Sequence, residues 1–502
     1  MRLYAAGLAV LFLFGSAGAV RATEAYTPSV LTAREVLLKA AQVRGHLEPG
    51  SYTEVLHIKR GAEATVRTIV YSGNDYRATS TTGSFSTSDG AYRDKAWRQD
   101  QSGIVTIDSG FHDTEDPNAR ALAHPDDPAG LTLLGVTVAL PHRYAIDIHP
   151  SDGNHEIRYY DATTFYLVRD ETDGKDQNHE VETYDDFRTA FGSTRAYHYT
   201  DTDGHAENDY ERFTASFVKS PAIELTVPAS RSLFSFSNAQ PVVVPMVPAG
   251  RDIVIAAKIG DRTLNFALDS GAASSSIDPA VADSLGLKQG ATHSTTVGGN
   301  YKFSHVMIPR MTVSGLPMTG VYMATITIPK TLGAANIVGL LGHDVLASAI
   351  VRIDVADQTV TFYPREAPPV LKAADAIPIE LDDYVPRVAG TLDGQAGHFM
   401  IDTGAGVTLL FNSFALKDTA LTYSKREGAV MFIGGTVSSK IAFPDKFSIG
   451  STTVANFHAL VPQSSLAERD QYDGIIGRDV LNAYVLYFDY ANSRMFIRPP
   501  GE

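Results

Sequence analysis

The chain has 502 residues and carries 42 Lys and Arg against 57 Asp and Glu, for a net charge of −15, with 15 His and no cysteine. A phosphate-binding face needs clustered Lys and Arg, and no basic run is present, so nucleic acid is excluded as a partner. Without cysteine there is neither thiol chemistry nor a disulfide, and stability must come from burial, which this length allows over several domains.

Residues 1–22 hold Arg2, a nearly unbroken apolar run over 3–14 and then small residues ending in Ala19 and Ala22. This is the pattern of a secretory signal peptide, with a core too short for an ordinary membrane span. The expectation is export to the periplasm or secretion, with membrane anchoring if the signal stays uncleaved.

Residues 23–238 read as an α+β domain. Thr32-Ala-Arg-Glu35 is a capping box ahead of an apolar helix over 36–43, with Gly45 just beyond. Strands are predicted over 52–58, 64–71, 75–79, 91–98, 156–160, 165–170, 180–184, 195–200 and 206–213, between Asp-Gly and Gly-Asn turns. The result is a curved antiparallel sheet with one dominant helix. Asp201, Asp203, Gly204 and Asp209 look in part like a calcium loop. They lack its third spaced ligand and closing Glu, so no metal is expected. Pro241-Val-Val-Val-Pro245-Met-Val-Pro248 then reads as a linker, and a second linker spans residues 367–377.

The remainder is a duplication. Phe266-Ala-Leu-Asp269-Ser270-Gly271-Ala272 returns as Phe399-Met-Ile-Asp402-Thr403-Gly404-Ala405. Val338-Gly-Leu-Leu-Gly-His343-Asp344 returns as Asp473-Gly-Ile-Ile-Gly-Arg478-Asp479, and Gly298-Gly299 as Gly434-Gly435. The landmarks keep their register, as expected of two copies of one fold. Each Asp leaves an apolar strand and meets a glycine suited to a tight turn. One chemistry needs two carboxylates facing each other: hydrolysis of a peptide carbonyl by a held water, with one proton shared by the pair. His-Glu-x-x-His, Walker and Gly-x-Ser-x-Gly motifs are absent, and no cofactor is expected.

In these motifs each repeat resembles a retropepsin-like aspartic protease domain, over roughly residues 241–499. The resemblance implies a mainly β protein whose closed β domains, 239–366 and 378–502, form one pseudo-twofold unit. It implies Asp269 and Asp402 as the catalytic pair and Ser270, Gly271, Thr403 and Gly404 as the active-site turns. Gly298, Gly299, Gly434 and Gly435 would be flap tips, though hairpin tips of no special role fit the same residues. The hydroxyls of Ser270 and Thr403 can bond across the axis to the opposite turn and hold the carboxyls coplanar. Ala272 and Ala405 stand where pepsin-like enzymes often have a hydroxyl donor, which predicts a weakly acidic optimum. The usual Asp partner of the motif arginine is replaced by Ala273 and Gly406, so His343 and Arg478 have no assigned role. Asp344 and Asp479 are expected to cap or orient short helices starting at Val345 and Val480.

Residues 23–238 resemble, in element order and in the hairpin over 159–169, the periplasmic lipoprotein-carrier type of fold with an apolar concavity. The function expected is aspartic endopeptidase action on an extended peptide or protein. The alternative is a non-catalytic carrier of lipid or lipoprotein with the repeats as scaffold. Pairing of the aspartates within one chain or between two chains is left open.

Overall fold

The computed structural model describes residues 24–501 except 84, 94, 108–115, 152, 174–178, 205–207, 297–299, 329–334, 382–383, 418–420, 433–434 and 464–471. The expected signal peptide lies outside them. Of the described residues, those within Phe14–Lys95 and Gly110–Val227 form one compact unit, and those within Ala96–Ser109 and Pro228–Glu502 form another.

The first unit opens with a short strand, Tyr26–Thr27, followed by the helix Ala33–Arg44. Its capping box is complete: the Glu35 N–H donates to Thr32 Oγ1 (3.2 Å) and the Thr32 N–H donates to Glu35 Oε2 (2.8 Å). Two donors that a helix start leaves unpaired are thereby satisfied. Antiparallel strands follow, Ser51–Arg60, Glu63–Ser72, Asp75–Thr82 and Phe85–Tyr92. A second run comprises Leu131–Thr137, Arg143–Ile148, His155–Asp161, Leu167–Asp173, His179–Ala190, Ser193–Thr202 and Tyr210–Ser220. The last of these returns to pair with Ser51–Arg60, placing Phe213 opposite His57.

Phe85–Tyr92 escapes a sequence reading because its Asp89-Gly90 looks like a turn. It lies mid-strand because Arg67, reaching across the intervening strand Asp75–Thr82, holds Asp89 with two bonds of 2.7 and 2.8 Å. The strand expected over 91–98 is broken, ending at Tyr92 and restarting at Lys95 after Arg93 adopts φ 51°.

The sheet face that buries Tyr52, Leu56, Ile58, Ile69 and Tyr71 also buries Glu54 and Arg67. Glu54 accepts from the Tyr71 hydroxyl (2.9 Å) and pairs with Arg195 (3.4 Å). This face mixes apolar side chains and tyrosines with paired charges, each of which needs its partner to be buried at all.

In the second unit the two repeats fold alike. In the first, Val254–Ile259 and Arg262–Leu268 form a hairpin, and Ile337–Leu341 runs parallel to its second strand with Phe266 opposite Gly339. In the second, Arg387–Leu392 and Gln395–Ile401 form the hairpin, and Gly474–Ile476 runs parallel with Phe399 opposite Gly474. Ser276–Ile277 and Leu409–Leu410 pair antiparallel with those same strands. Phe266 and Phe399 are fully buried, each worth about 1.5–3 kcal/mol of transfer free energy.

A six-stranded sheet joins the repeats, three strands from each: Val242–Pro245, Thr359–Tyr363, Ile350–Asp354, Val485–Asp489, Arg494–Arg498 and Ile377–Pro378, in that order. At its centre Val351 faces Phe488 and Ile353 faces Leu486, antiparallel across a local twofold axis. Val351, Ile353, Val485 and Phe488 are fully buried. The proline-rich segment 241–248, expected as a linker, supplies an edge strand here, and an edge is where a missing proline N–H costs no ladder bond.

Candidate active site

Both signature aspartates stand just past the end of the second hairpin strand of their repeat. The Asp269 N–H donates to the Leu341 carbonyl and the Asp402 N–H to the Ile476 carbonyl, each at 3.0 Å. Each turn then folds onto its own carboxylate. Gly271 N–H donates to Asp269 Oδ1 (2.9 Å), while Gly404 and Ala405 N–H groups donate to Asp402 Oδ1 at 2.7 and 3.0 Å.

Four bonds lock the turns across the axis. Ser270 Oγ donates to the Ile401 carbonyl (2.7 Å) and accepts from the Thr403 N–H (3.0 Å). Reciprocally, Thr403 Oγ1 donates to the Leu268 carbonyl (2.9 Å) and accepts from the Ser270 N–H (2.9 Å). Both hydroxyls are buried, so each closed pair removes two backbone groups from the unsatisfied interior. The glycines have a second use. A Cβ on Gly271 would stand 2.4 Å from Asp402 Cγ, and one on Gly404 2.4 Å from Asp269 Cγ. Only glycine lets the opposite carboxyl approach so closely.

The outcome is a pair of hydrogen-bonded carboxyls within one chain, each partly open to solvent. Burial, then the charge of Asp402 and the bond to it, raise Asp269 well above the ordinary carboxylate range. Two like charges at this spacing do not both ionise, and one proton stays with the pair.

Two supporting residues were not singled out from sequence. Ser275 donates from N–H and Oγ to Asp344 Oδ1 at 2.9 and 2.6 Å, and accepts from the Gly342 N–H at 3.0 Å. Thr408 donates from N–H to Asp479 Oδ2 (3.1 Å) and from Oγ1 to Asp479 Oδ1 (2.8 Å), and accepts from the Gly477 N–H (3.1 Å). Both stand six residues after their aspartate, a matched hydroxyl offset that a closer comparison of the repeats would have exposed. This also corrects the capping expectation. The helices His343–Leu346 and Arg478–Leu481 have Gly342 and Gly477 at their N-caps with no side-chain cap, and Asp344 and Asp479 clamp the hydroxyl residues instead.

His343 and Arg478 hold matching places with different chemistry. Their N–H groups donate to the Ala272 and Ala405 carbonyls at 2.9 and 2.8 Å, so both tie down an active-site turn. The Arg478 side chain pairs with Asp252, which replaces the partner absent from the motif. The His343 ring is buried between Thr106 Oγ1, 2.9 Å from Nε2, and the Tyr384 carbonyl, 2.6 Å from Nδ1. Burial pushes it down to about 4, so it is neutral above that pH. Asp344 is raised to about 6 by burial, and Asp100 to about 7 by burial and then by the Asp344 charge.

Of the four glycines assigned to flaps, Gly298, Gly299 and Gly434 lie outside the described residues. Gly435 opens the strand Gly435–Phe443 and stands opposite Phe432. The segments around 297–299, His293–Thr296 and Asn300–Val313, pair antiparallel with Thr296 opposite Asn300. Among the described residues, no group of His, Asp and Glu side chains is arranged to hold a metal ion.

The two duplicated turns thus bring one carboxyl from each repeat together. The family model described as Aspartyl protease matches residues 255–345 and again residues 388–480, so the chain carries two retropepsin-like aspartyl protease regions in tandem. No curated protein matches the chain. Among solved structures, the aspartic proteinase from Irpex lacteus is 13% identical, covering 52% of this chain and 98% of that one at a TM-score of 0.35. A DUF1329 family protein from Desulfovibrio piger is 13% identical over 39% of this chain and 96% of that one, with a TM-score of 0.29. A LolA superfamily protein from Nitrosomonas europaea is 11% identical over 38% and 95%, with a TM-score of 0.29.

Proposed function

We propose that this protein is an aspartic endopeptidase whose single site is the Asp269–Asp402 pair. The observation that carries the reading is the reciprocal locking of the two turns, which holds two carboxyls in hydrogen-bond contact while leaving them partly open. Such rigidity is costly unless the pair is used.

In the proposed mechanism the Asp269–Asp402 pair holds one proton, and the protonated carboxyl donates it toward the substrate carbonyl. The other carboxylate takes a proton from a water held between them, and that water attacks the carbonyl carbon. As the C–N bond breaks, the proton taken from water goes to the leaving nitrogen and the proton on the former carbonyl oxygen returns to the first carboxyl. The substrate is an extended peptide or protein segment. We assign the paired strands around 297–299 and 433–434 as flaps that close over it and exclude water. The signal-peptide pattern of residues 1–22 supports a periplasmic or secreted site of action.

The test is digestion of a peptide library at several pH values by the wild-type chain and by Asp269→Asn and Asp402→Asn. Cleavage by the wild type alone, blocked by a statine-type transition-state mimic, is the expected result. Equal cleavage by either variant would end the proposal.

A further inference from the structure

The hairpin of Lys95–Gln99 and Val105–Ile107 lies in sequence within the N-terminal region, yet residues Ala96–Ser109 belong to the protease unit. It is built into the first repeat. Ile104 is fully buried in the same core as Phe266 and Leu268, and Trp97 is 2% exposed. The Tyr322 N–H donates to Ser102 Oγ (3.2 Å), the Arg231 N–H to the Gly103 carbonyl (2.9 Å), and the Val105 N–H to Ser230 Oγ (3.0 Å).

Two of its residues reach the support of the active-site turn. The Tyr384 carbonyl can only accept, so His343 Nδ1 bears the proton and Nε2 of the neutral ring is an acceptor. Thr106 Oγ1 therefore donates to Nε2. Arg98, opposite Thr106 in the hairpin, stacks its guanidinium 5.0 Å from the centre of the Tyr384 ring. From His343 the connection runs through its N–H to the Ala272 carbonyl, the last residue of the Asp269 turn, and through its neighbour Asp344 to Ser275. In the second repeat the matching place is held from the first repeat and not from the hairpin, because Arg478 pairs with Asp252.

We propose that the hairpin is part of the proteolytic site and that Thr106 is a positioning residue, holding the His343 ring so that its backbone fixes the turn bearing Asp269. The inference rests on the dyad reading for its kinetic consequence. It also implies that a fragment beginning at the first repeat lacks a working site, although both signature motifs are present in it.

The experiment uses the full chain with Thr106→Val, which keeps the shape and removes the donor, and Thr106→Ser, which restores it. Thr106→Val is expected to lower kcat about five- to tenfold, the effect of one buried hydrogen bond, with KM within about twofold, and Thr106→Ser to recover wild-type kcat. Amide hydrogen exchange should quicken about tenfold over residues 270–275 in Thr106→Val and stay unchanged over residues 403–408. A third measurement needs no variant: nitrogen NMR of the wild type should show His343 protonated at Nδ1 and bare at Nε2. Unchanged kcat and exchange in Thr106→Val, equal quickening in both repeats, or a His343 proton on Nε2 would overturn the proposal. If the wild type cleaves no peptide, the protease reading fails by itself, and the exchange contrast and the tautomer still decide whether the hairpin holds the turn. If only the aspartate variants lose activity, the hairpin inference falls alone.

Discussion

Valine in place of Thr403 is the most direct probe of the cross-axis lock. It keeps the β-branched shape and deletes one hydroxyl, which accepts from the Ser270 N–H and donates to the Leu268 carbonyl, both at 2.9 Å. Thr403 is 1% exposed, so water does not replace it. Two buried backbone groups lose their partner, at about 1–3 kcal/mol each, for a total of roughly 2–6 kcal/mol. That is a large part of the roughly 5–15 kcal/mol that holds an ordinary domain together. The chain has one tryptophan, Trp97, and it lies in the protease unit, so urea unfolding followed by its fluorescence reports on the right part of the molecule. Thr403→Ser should keep most of the stability. Ser270→Ala and Thr403→Val should be strongly non-additive, because both belong to one network. A loss under about 0.5 kcal/mol for Thr403→Val, or simple additivity of the pair, would refute the claim that these bonds hold the carboxyls together.

Further outcomes follow from the same geometry. Asp269→Asn and Asp402→Asn should each lower kcat by roughly 10²–10⁴-fold in a peptide-cleavage assay, since each removes one half of the proton transfer. The pH profile should be bell-shaped with a weakly acidic maximum. Activity falls with rising pH as the proton shared by the pair is lost, and falls with lowering pH as the pair takes a second proton; a maximum below about pH 3 would contradict this. Asp100→Asn keeps an acceptor for the Ile104 N–H and removes a buried charge. Between 3.8, its ordinary value, and about 7, folded Asp100 keeps a proton that the unfolded chain has released, so wild-type stability falls as pH rises through that window. The variant should match wild type in unfolding free energy at pH 4 and exceed it at pH 8, by on the order of 1–3 kcal/mol after allowing for partial exposure. Equal gains at both pH values would contradict the assignment. Tyr490 is 4% exposed, and its hydroxyl has no hydrogen-bond partner among the described residues. Tyr490→Phe should therefore leave stability unchanged or raise it by about 1 kcal/mol in the urea assay, whereas a loss would reveal an unseen partner.

The amino-acid sequence alone determined the duplication, the two aspartates and the turns that carry them. These are local patterns: an apolar strand, an acid, a hydroxyl and a glycine, repeated 133 residues later in register. It determined the capped helix Ala33–Arg44 for the same reason, since its box spans four consecutive residues. Tertiary structure decided what local pattern does not encode. Thr106 and His343 lie 237 residues apart, and neither belongs to a motif that points to the other. Arg478 has lost its usual nearby partner and found Asp252, a charge complementary in space but not in spacing. Arg67 likewise turned an apparent Asp-Gly turn into the middle of a strand. Buried polar groups must be paired wherever the fold brings them, so the identity of their partners follows from the packed chain and not from the order of its residues.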